Sequence, residues 1–259
     1  MANYKDWIDV IDINVDYFSA FMKAWIAFNS WYDSGVIAGS TDKDKIEFIS
    51  NNDNDFKTYM NRLLAEETAE GLSFRENVAQ LHAALLGSAI RSQEYVGVRQ
   101  TISFSEVAIK NQNNQKSLEY RTYRYECSRS RGIIKTIISR KDNGSEVFQY
   151  EQEEHNVDAL KQQTIFCSLT NIQKEKCLEC YEELRPYKIE SVLDTSEAAI
   201  KIGAYNFIND VNKISKAIIM ILYLLRCALA HGDISPDESS NKVYRHAYEV
   251  LIPPLKKLR

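Results

Sequence analysis

Near the C-terminus, the run Leu224-Leu225-Arg226-Cys227-Ala228-Leu229-Ala230-His231-Gly232-Asp233 sets an arginine and a histidine into what otherwise reads as the end of an apolar helix. A guanidinium buried there without a partner is strongly disfavoured, so the pair is expected to face a cleft or an interface. Five residues apart on a helix, the two side chains diverge by about 140° and about 7.5 Å along the axis, and only the reach of arginine or a second protomer brings them to one site. Unpaired carbonyls at the helix end favour imidazolium, which suits His231 to general acid or base work. A planar, permanently charged guanidinium suits Arg226 to a phosphate oxygen. Together they fit RNA scission, in which His231 transfers a proton and Arg226 offsets charge on the phosphorane formed as a ribose 2′-OH attacks. Such chemistry requires neither metal nor cofactor. The plainer reading has His231 capping helix-end carbonyls and Arg226 paired with a carboxylate such as Asp233 or one on another helix.

Other chemistry-bearing residues give weaker signals. Asn29 shares a helix face with Met22 and Trp25, where an amide must bond across the core or reach a site, and the core role is favoured. His246 reads as an exposed helical histidine, His82 as a partly buried helix residue and His155 as a loop residue beside glutamates. Cys177-Leu178-Glu179-Cys180 has the spacing of a zinc half-site, but no second C-x2-C follows and no metal is expected. Glycine-rich phosphate loops and a G-x-S-x-G elbow are absent, which removes P-loop and serine-hydrolase chemistry.

The elements that must position these residues are mostly helical. Phe18, Phe21, Met22, Trp25, Phe28 and Tyr32 recur at three- and four-residue steps, predicting an amphipathic helix from Val15 to Tyr32 that Gly35 ends. Residues 42–51, 55–69 and 75–91 carry helical composition. Val211, Ile214, Ile218, Leu222, Leu225 and Leu229 predict a long helix over about 209–231, with Gly232 as its stop. A last helix is expected over about 238–251, ending before Pro253-Pro254. Between Thr101 and Tyr150, β-branched and aromatic runs and the turn signal Asp142-Asn143-Gly144 predict a small antiparallel meander. With helical signals resuming at Val157, the expectation is one mainly α domain over residues 1–259, carrying a β-rich insertion at 100–151.

The meander concentrates charge. Residues 110–141 hold nine Lys or Arg against two Glu, a balance of +7 in a chain of net charge -4. Two readings stand. Arg121, Arg124, Arg129 and Arg131, with Tyr120, Tyr123 and Tyr125 interleaved, suit an RNA-holding surface. Alternatively, the cations line the solvent face of a twisted sheet and are balanced by Glu151, Glu153, Glu154 and Asp158.

At 259 residues, with 44% hydrophobic and 26% charged side chains, the chain can bury a sizeable core. Its 36 acidic against 32 basic residues exclude a uniformly basic nucleic-acid coat protein. The longest apolar stretch, Ala217 to Ala230, is broken by Arg226 and is shorter than the roughly 20 residues a bilayer requires. The N-terminus lacks a basic segment leading into an apolar one, so no signal peptide is read and a cytoplasmic location is expected. Five scattered cysteines fit reduced thiols better than a disulfide framework.

Arg226-x4-His231 near the end of a C-terminal hydrophobic helix, followed by Gly232-Asp233, resembles the R-x4-6-H motif of HEPN-domain ribonucleases. Trp25-Ile26-Ala27-Phe28-Asn29-Ser30-Trp31-Tyr32 is similar to the aromatic-rich first helix of larger bacterial HEPN proteins. The resemblance implies a HEPN-like helical bundle that dimerises, so that two motif helices compose a metal-independent RNA-cleaving cleft. It also implies a place in phage defence or a toxin-antitoxin system, with an antitoxin or defence protein as a further partner. In many active members the residue after the arginine is Asn, Asp or His, whereas here it is Cys227, which with Asp233 and Asn29 would support the site. The alternative is a catalytically silent HEPN-like module that binds a protein or a nucleotide ligand through the Arg226-His231 surface.

Overall fold

Asp16 opens the first helix, α1 (Tyr17–Trp31), by accepting the Ser19 N–H on its carboxylate, as short acids do at helix starts. The structure is a computed structural model that describes residues 16–88, 90–91 and 101–259. The stretch read for a leader, and Val15 at the head of the expected first helix, lie outside the described residues. A widened turn over Tyr32–Val36, with Gly35 at φ +89°, ends α1. Then come α2 (Asp42–Asn51), opened by a reciprocal cap between Thr41 and Asp44, α3 (Asp55–Ala65) and α4 (Ala69–Gly87), the last two capped by Asn54 and Thr68. Strands β1 (Val107–Lys110), β2 (Gln115–Tyr120), β3 (Tyr123–Ser130), β4 (Ile133–Arg140) and β5 (Glu146–Gln152) follow. After them lie α5 (Val157–Lys161), α6 (Thr164–Ser168), α7 (Asn171–Glu182), β6 (Tyr187–Glu190), β7 (Ile200–Ile202), β8 (Tyr205–Phe207), α8 (Val211–Ala230) and α9 (Glu238–Lys256).

The chain divides into two compact units, one built from residues up to Ile109 together with Ile189–Arg259, the other from Lys110–Lys188. In the first, α9 packs on α1 and α4, while α2 and α3 pack on α8. Its core joins Phe21, Trp25 and Phe28 of α1 to Ile214, Ile218 and Leu225 of α8 and to Tyr244 and Val250 of α9. The apolar stripe that made α1 legible is thus the face it buries. In the second unit, β2–β5 form a four-stranded antiparallel meander. Tyr125, Cys127, Ile134, Ile138 and Phe148 share its inner face and pack on Leu160, Phe166, Cys177, Cys180 and Tyr181. Alternation of side chains along each strand sends Arg124, Ser128 and Gln149 to the other face, in solvent.

Three expectations are corrected. The chain is a mixed α/β protein and not a mainly α HEPN-like bundle with one inserted meander, because β1 pairs with β6 and β7 with β8 in addition to the four-stranded sheet. Strands β6 to β8 are three or four residues long, too short for a period-2 pattern to stand out. The final helix also continues through Pro253 and Pro254. Proline φ lies close to the helical value, the missing N–H groups fall in the last turns, and Pro254 is buried. Finally, His246 is buried, with its Nδ1 2.9 Å from Glu249 Oε2 on the same helix.

His82 of α4 is 2% exposed, its Nδ1 has no hydrogen-bond partner among the described residues, and its ring packs edge-on with Phe104, Tyr205 and Phe207. Burial holds this imidazole below its ordinary range, and does the same to His155 in the second unit. An unfolded chain takes up these protons as pH falls through about 6.5, whereas the folded chain resists them until lower pH. Stability is therefore full above that value and falls on acidification, by at most about 1.4 kcal/mol per pH unit for each group. Urea unfolding at pH 7.5 and pH 5.5 should show the loss, and His82→Phe should flatten it.

Candidate functional site

Helix α8 is written for burial along most of its length, with Ile214, Ile218, Ile221, Leu222 and Leu225 fully enclosed. Its last turn is held by the buried Tyr244 hydroxyl, which donates to the Leu225 carbonyl at 2.7 Å. Gly232, at φ +69°, then turns the chain: its N–H reaches Leu229 O at 3.2 Å and the Asp233 N–H reaches Ala228 O at 3.0 Å. These two bonds satisfy carbonyls that the helix end would leave orphaned. The same closure leaves His231 as the exposed cap residue, and its ring has no hydrogen-bond partner among the described residues.

Arg226, one turn earlier, lies differently. Its side chain is 28% exposed and its Nη1 stands 3.4 Å from Asp42 Oδ2, across to the first residue of α2. The other carboxylate oxygen, Oδ1, accepts a short hydrogen bond from the Tyr32 hydroxyl and lies 3.5 Å from the Asn29 amide. Asn29 Nδ2 also donates to the Tyr32 oxygen at 2.7 Å. Residues from α1, the turn after it, α2 and α8 thus meet in one polar cluster. Asp42 sits at a helix N-terminus, where the backbone dipole favours a carboxylate. Burial raises the Tyr32 hydroxyl far above its usual range, so it stays protonated and donates. Burial works against the charge of Arg226, and Asp42, Cys227 and Tyr32 together outweigh it and raise the guanidinium above its ordinary range.

Cys227 lies between two partners. Arg226 Nη1 reaches its sulfur at 4.0 Å, and the buried Tyr223 hydroxyl is a second electrostatic neighbour of the thiol. Burial raises the thiol despite the opposing pull of Tyr223 and Arg226, so it is a poor thiolate nucleophile. Asp233 does not pair with Arg226: its backbone N–H closes the helix, and its buried Oδ2 has no hydrogen-bond partner among the described residues. The same holds for the buried Arg226 Nε. No hydrogen bond or ion pair joins Arg226 to His231 among the described residues, as their angular separation on the helix leads one to expect.

Sequence reasoning missed Asp42, Tyr32 and Tyr223. Tyr32 counted as one more aromatic of the apolar stripe, and its position three residues after Asn29 was the available signal. Asp42 was only the first residue of a segment of helical composition, and nothing local in the sequence ties it to Arg226, 184 positions away.

The basic residues of the meander serve several ends. Arg124 pairs with Glu126 at 3.2 Å and bonds Ser117, and Lys135–Glu151 and Lys141–Glu119 pair at 3.2 and 3.1 Å. Arg129 donates to the carbonyls of Asn111, Asn113 and Leu184, tying loops to the sheet. Arg121 and Arg131 sit exposed at hairpin tips, each with φ +52°, and Arg131 and Gly132 both take positive φ as the right-handed strand twist demands. Cys177 and Cys180 are core residues of the second unit, where burial pushes the Cys177 thiol up to about 12. Among the described residues, no group of three His, Cys, Asp or Glu side chains is arranged to hold a metal ion.

No family model matches this chain, and neither the curated proteins nor the solved structures contain a significant match. A Cβ at Gly232 would meet nothing within 4 Å, so Gly232→Ala is penalised only by its left-handed backbone, about 1 kcal/mol. Chemical denaturation should show that loss, and Gly232→Asn, which tolerates the conformation better, should lose less.

Proposed function

We propose that this protein is a metal-independent endoribonuclease of HEPN type, acting as a cytoplasmic homodimer in phage defence or a toxin-antitoxin system. Arg226 binds the scissile phosphate and offsets charge on the phosphorane. His231 transfers the proton: it leaves the 2′-OH as that oxygen attacks phosphorus and ends on the departing 5′ oxygen. The P–O5′ bond breaks, giving 2′,3′-cyclic phosphate and 5′-hydroxyl ends. The observation that carries this reading is the pairing, at one helix end, of an arginine beside the Asp42 carboxylate with a histidine whose exposed ring has no hydrogen-bond partner among the described residues. No helix among the described residues is long and apolar enough to cross a membrane. The exposed hairpin-tip residues Arg121 and Arg131 would hold RNA, while Arg124 and Arg129 are already engaged within the sheet unit.

A second reading, a catalytically silent module that binds a protein or a nucleotide ligand, is favoured by the ion pair itself, since Arg226 already has an anionic neighbour. One experiment separates the two. Wild type, Arg226→Ala and His231→Ala, purified identically, are incubated with total tRNA and messenger RNA in excess EDTA, and the product ends are analysed. Cleavage by wild type, lost by about a hundredfold or more in both variants, is the expected result. Equal cleavage by all three, or RNA binding by wild type without cleavage, would overturn the ribonuclease assignment.

A further inference from the structure

The contact between Arg226 and Asp42 is a single approach of 3.4 Å through Nη1, not a two-point clamp. It leaves Nε of the guanidinium buried and without an acceptor among the described residues. Asp42 is held through one oxygen: it begins a capped helix, and its Oδ1 is bonded by Tyr32 and approached by Asn29, while its buried Oδ2, which faces Arg226, has no hydrogen-bond partner among the described residues. Tyr32 is itself fully buried, and its oxygen accepts from the Asn29 amide. A carboxylate so held against a guanidinium with an unpartnered donor is an arrangement that orients more than it sequesters. An unpartnered buried N–H is also costly, and an incoming anionic oxygen that drew Arg226 round would relieve it.

We propose that Asp42, held by Tyr32 and Asn29, is a positioning residue for Arg226: it aims the guanidinium and offsets part of its charge, so that a nucleic-acid phosphate meets an oriented arginine of reduced attraction. This rests on the reading of Arg226 as a phosphate-binding group. Orientation favours the transition state, in which phosphate charge is greatest, while the neighbouring carboxylate weakens ground-state binding. Loss of Asp42 charge therefore moves binding and turnover in opposite directions, which a purely structural role would not do.

Two measurements test this, with a urea midpoint for every variant as a check on folding. The first is the rate at which phenylglyoxal, an arginine reagent, modifies Arg226, followed by peptide mass spectrometry in wild type, Asp42→Asn, Asp42→Glu and Tyr32→Phe. The second is affinity for a 2′-deoxy-blocked RNA oligonucleotide, alongside kcat and KM on the cleavable form. Asp42→Asn should label Arg226 several-fold faster, bind the blocked oligonucleotide more tightly and lose roughly tenfold in kcat. Asp42→Glu should regain part of kcat, and Tyr32→Phe should fall between Asp42→Asn and wild type. Unchanged labelling in folded Asp42→Asn, or a parallel fall in affinity and kcat, would overturn the positioning role. If labelling depends on Asp42 but wild type neither binds nor cleaves RNA, the pairing stands and the ribonuclease assignment falls.

Discussion

An arginine in the last turns of an otherwise apolar helix constrains everything around it. Its charge cannot be left in the core, and its reach to solvent is limited by the packing of α8 beneath α2 and α3. The fold resolves this by delivering Asp42 at the N-terminus of α2, with its remaining oxygen occupied by Tyr32 and Asn29. The path of the chain between α1 and α2 follows from that requirement. The widened turn after α1, with Gly35 in a left-handed conformation, lets Tyr32 point back toward Asn29 while the chain proceeds to the capped start of α2. A surface ion pair of this size contributes little to stability, about 1 kcal/mol. Its larger consequence is to define where a guanidinium points.

The helix end supplies a complementary constraint. A glycine in the left-handed region closes the last carbonyls of α8, and it does so without help from the His231 ring. Because the backbone satisfies itself, the imidazole is not consumed by capping. The structural role open to this histidine on sequence grounds is thus filled by Gly232 and Asp233 N–H groups. Within six residues the helix end thus carries a half-buried arginine beside Asp42 and an exposed histidine.

In the second unit, charge is largely settled locally. A balance of +7 over residues 110–141 suggests a basic surface, yet cross-strand and neighbouring glutamates pair with Arg124, Lys135 and Lys141, and Arg129 turns to backbone carbonyls. Opposite charges on one face of a sheet find each other because directly opposed residues stand within side-chain reach. Among the basic residues that stay exposed are Lys116 and Arg140 on strands, and Arg121 and Arg131 at hairpin tips, where they accept a positive φ that twist imposes on short turns.

The long elements were legible in the sequence because periodicity accumulates over many residues. The stripe of α1, the apolar run of α8 and the alternating strands of the meander all appear near where they were expected. The ribbons β1–β6 and β7–β8 did not, since three or four residues carry no resolvable period, and with them went the mainly α assignment. At the site, residue chemistry and spacing alone marked Arg226 and His231 and required a partner for the arginine. Only the tertiary structure decided that the partner is Asp42 and not Asp233, that Tyr32 is a hydrogen-bond donor as well as a core aromatic, and that His246 is buried. The physical reason is range: helix periodicity and capping are local and written in consecutive residues, whereas an ion pair between residues 184 positions apart depends on how α2 packs against α8, which no local pattern encodes.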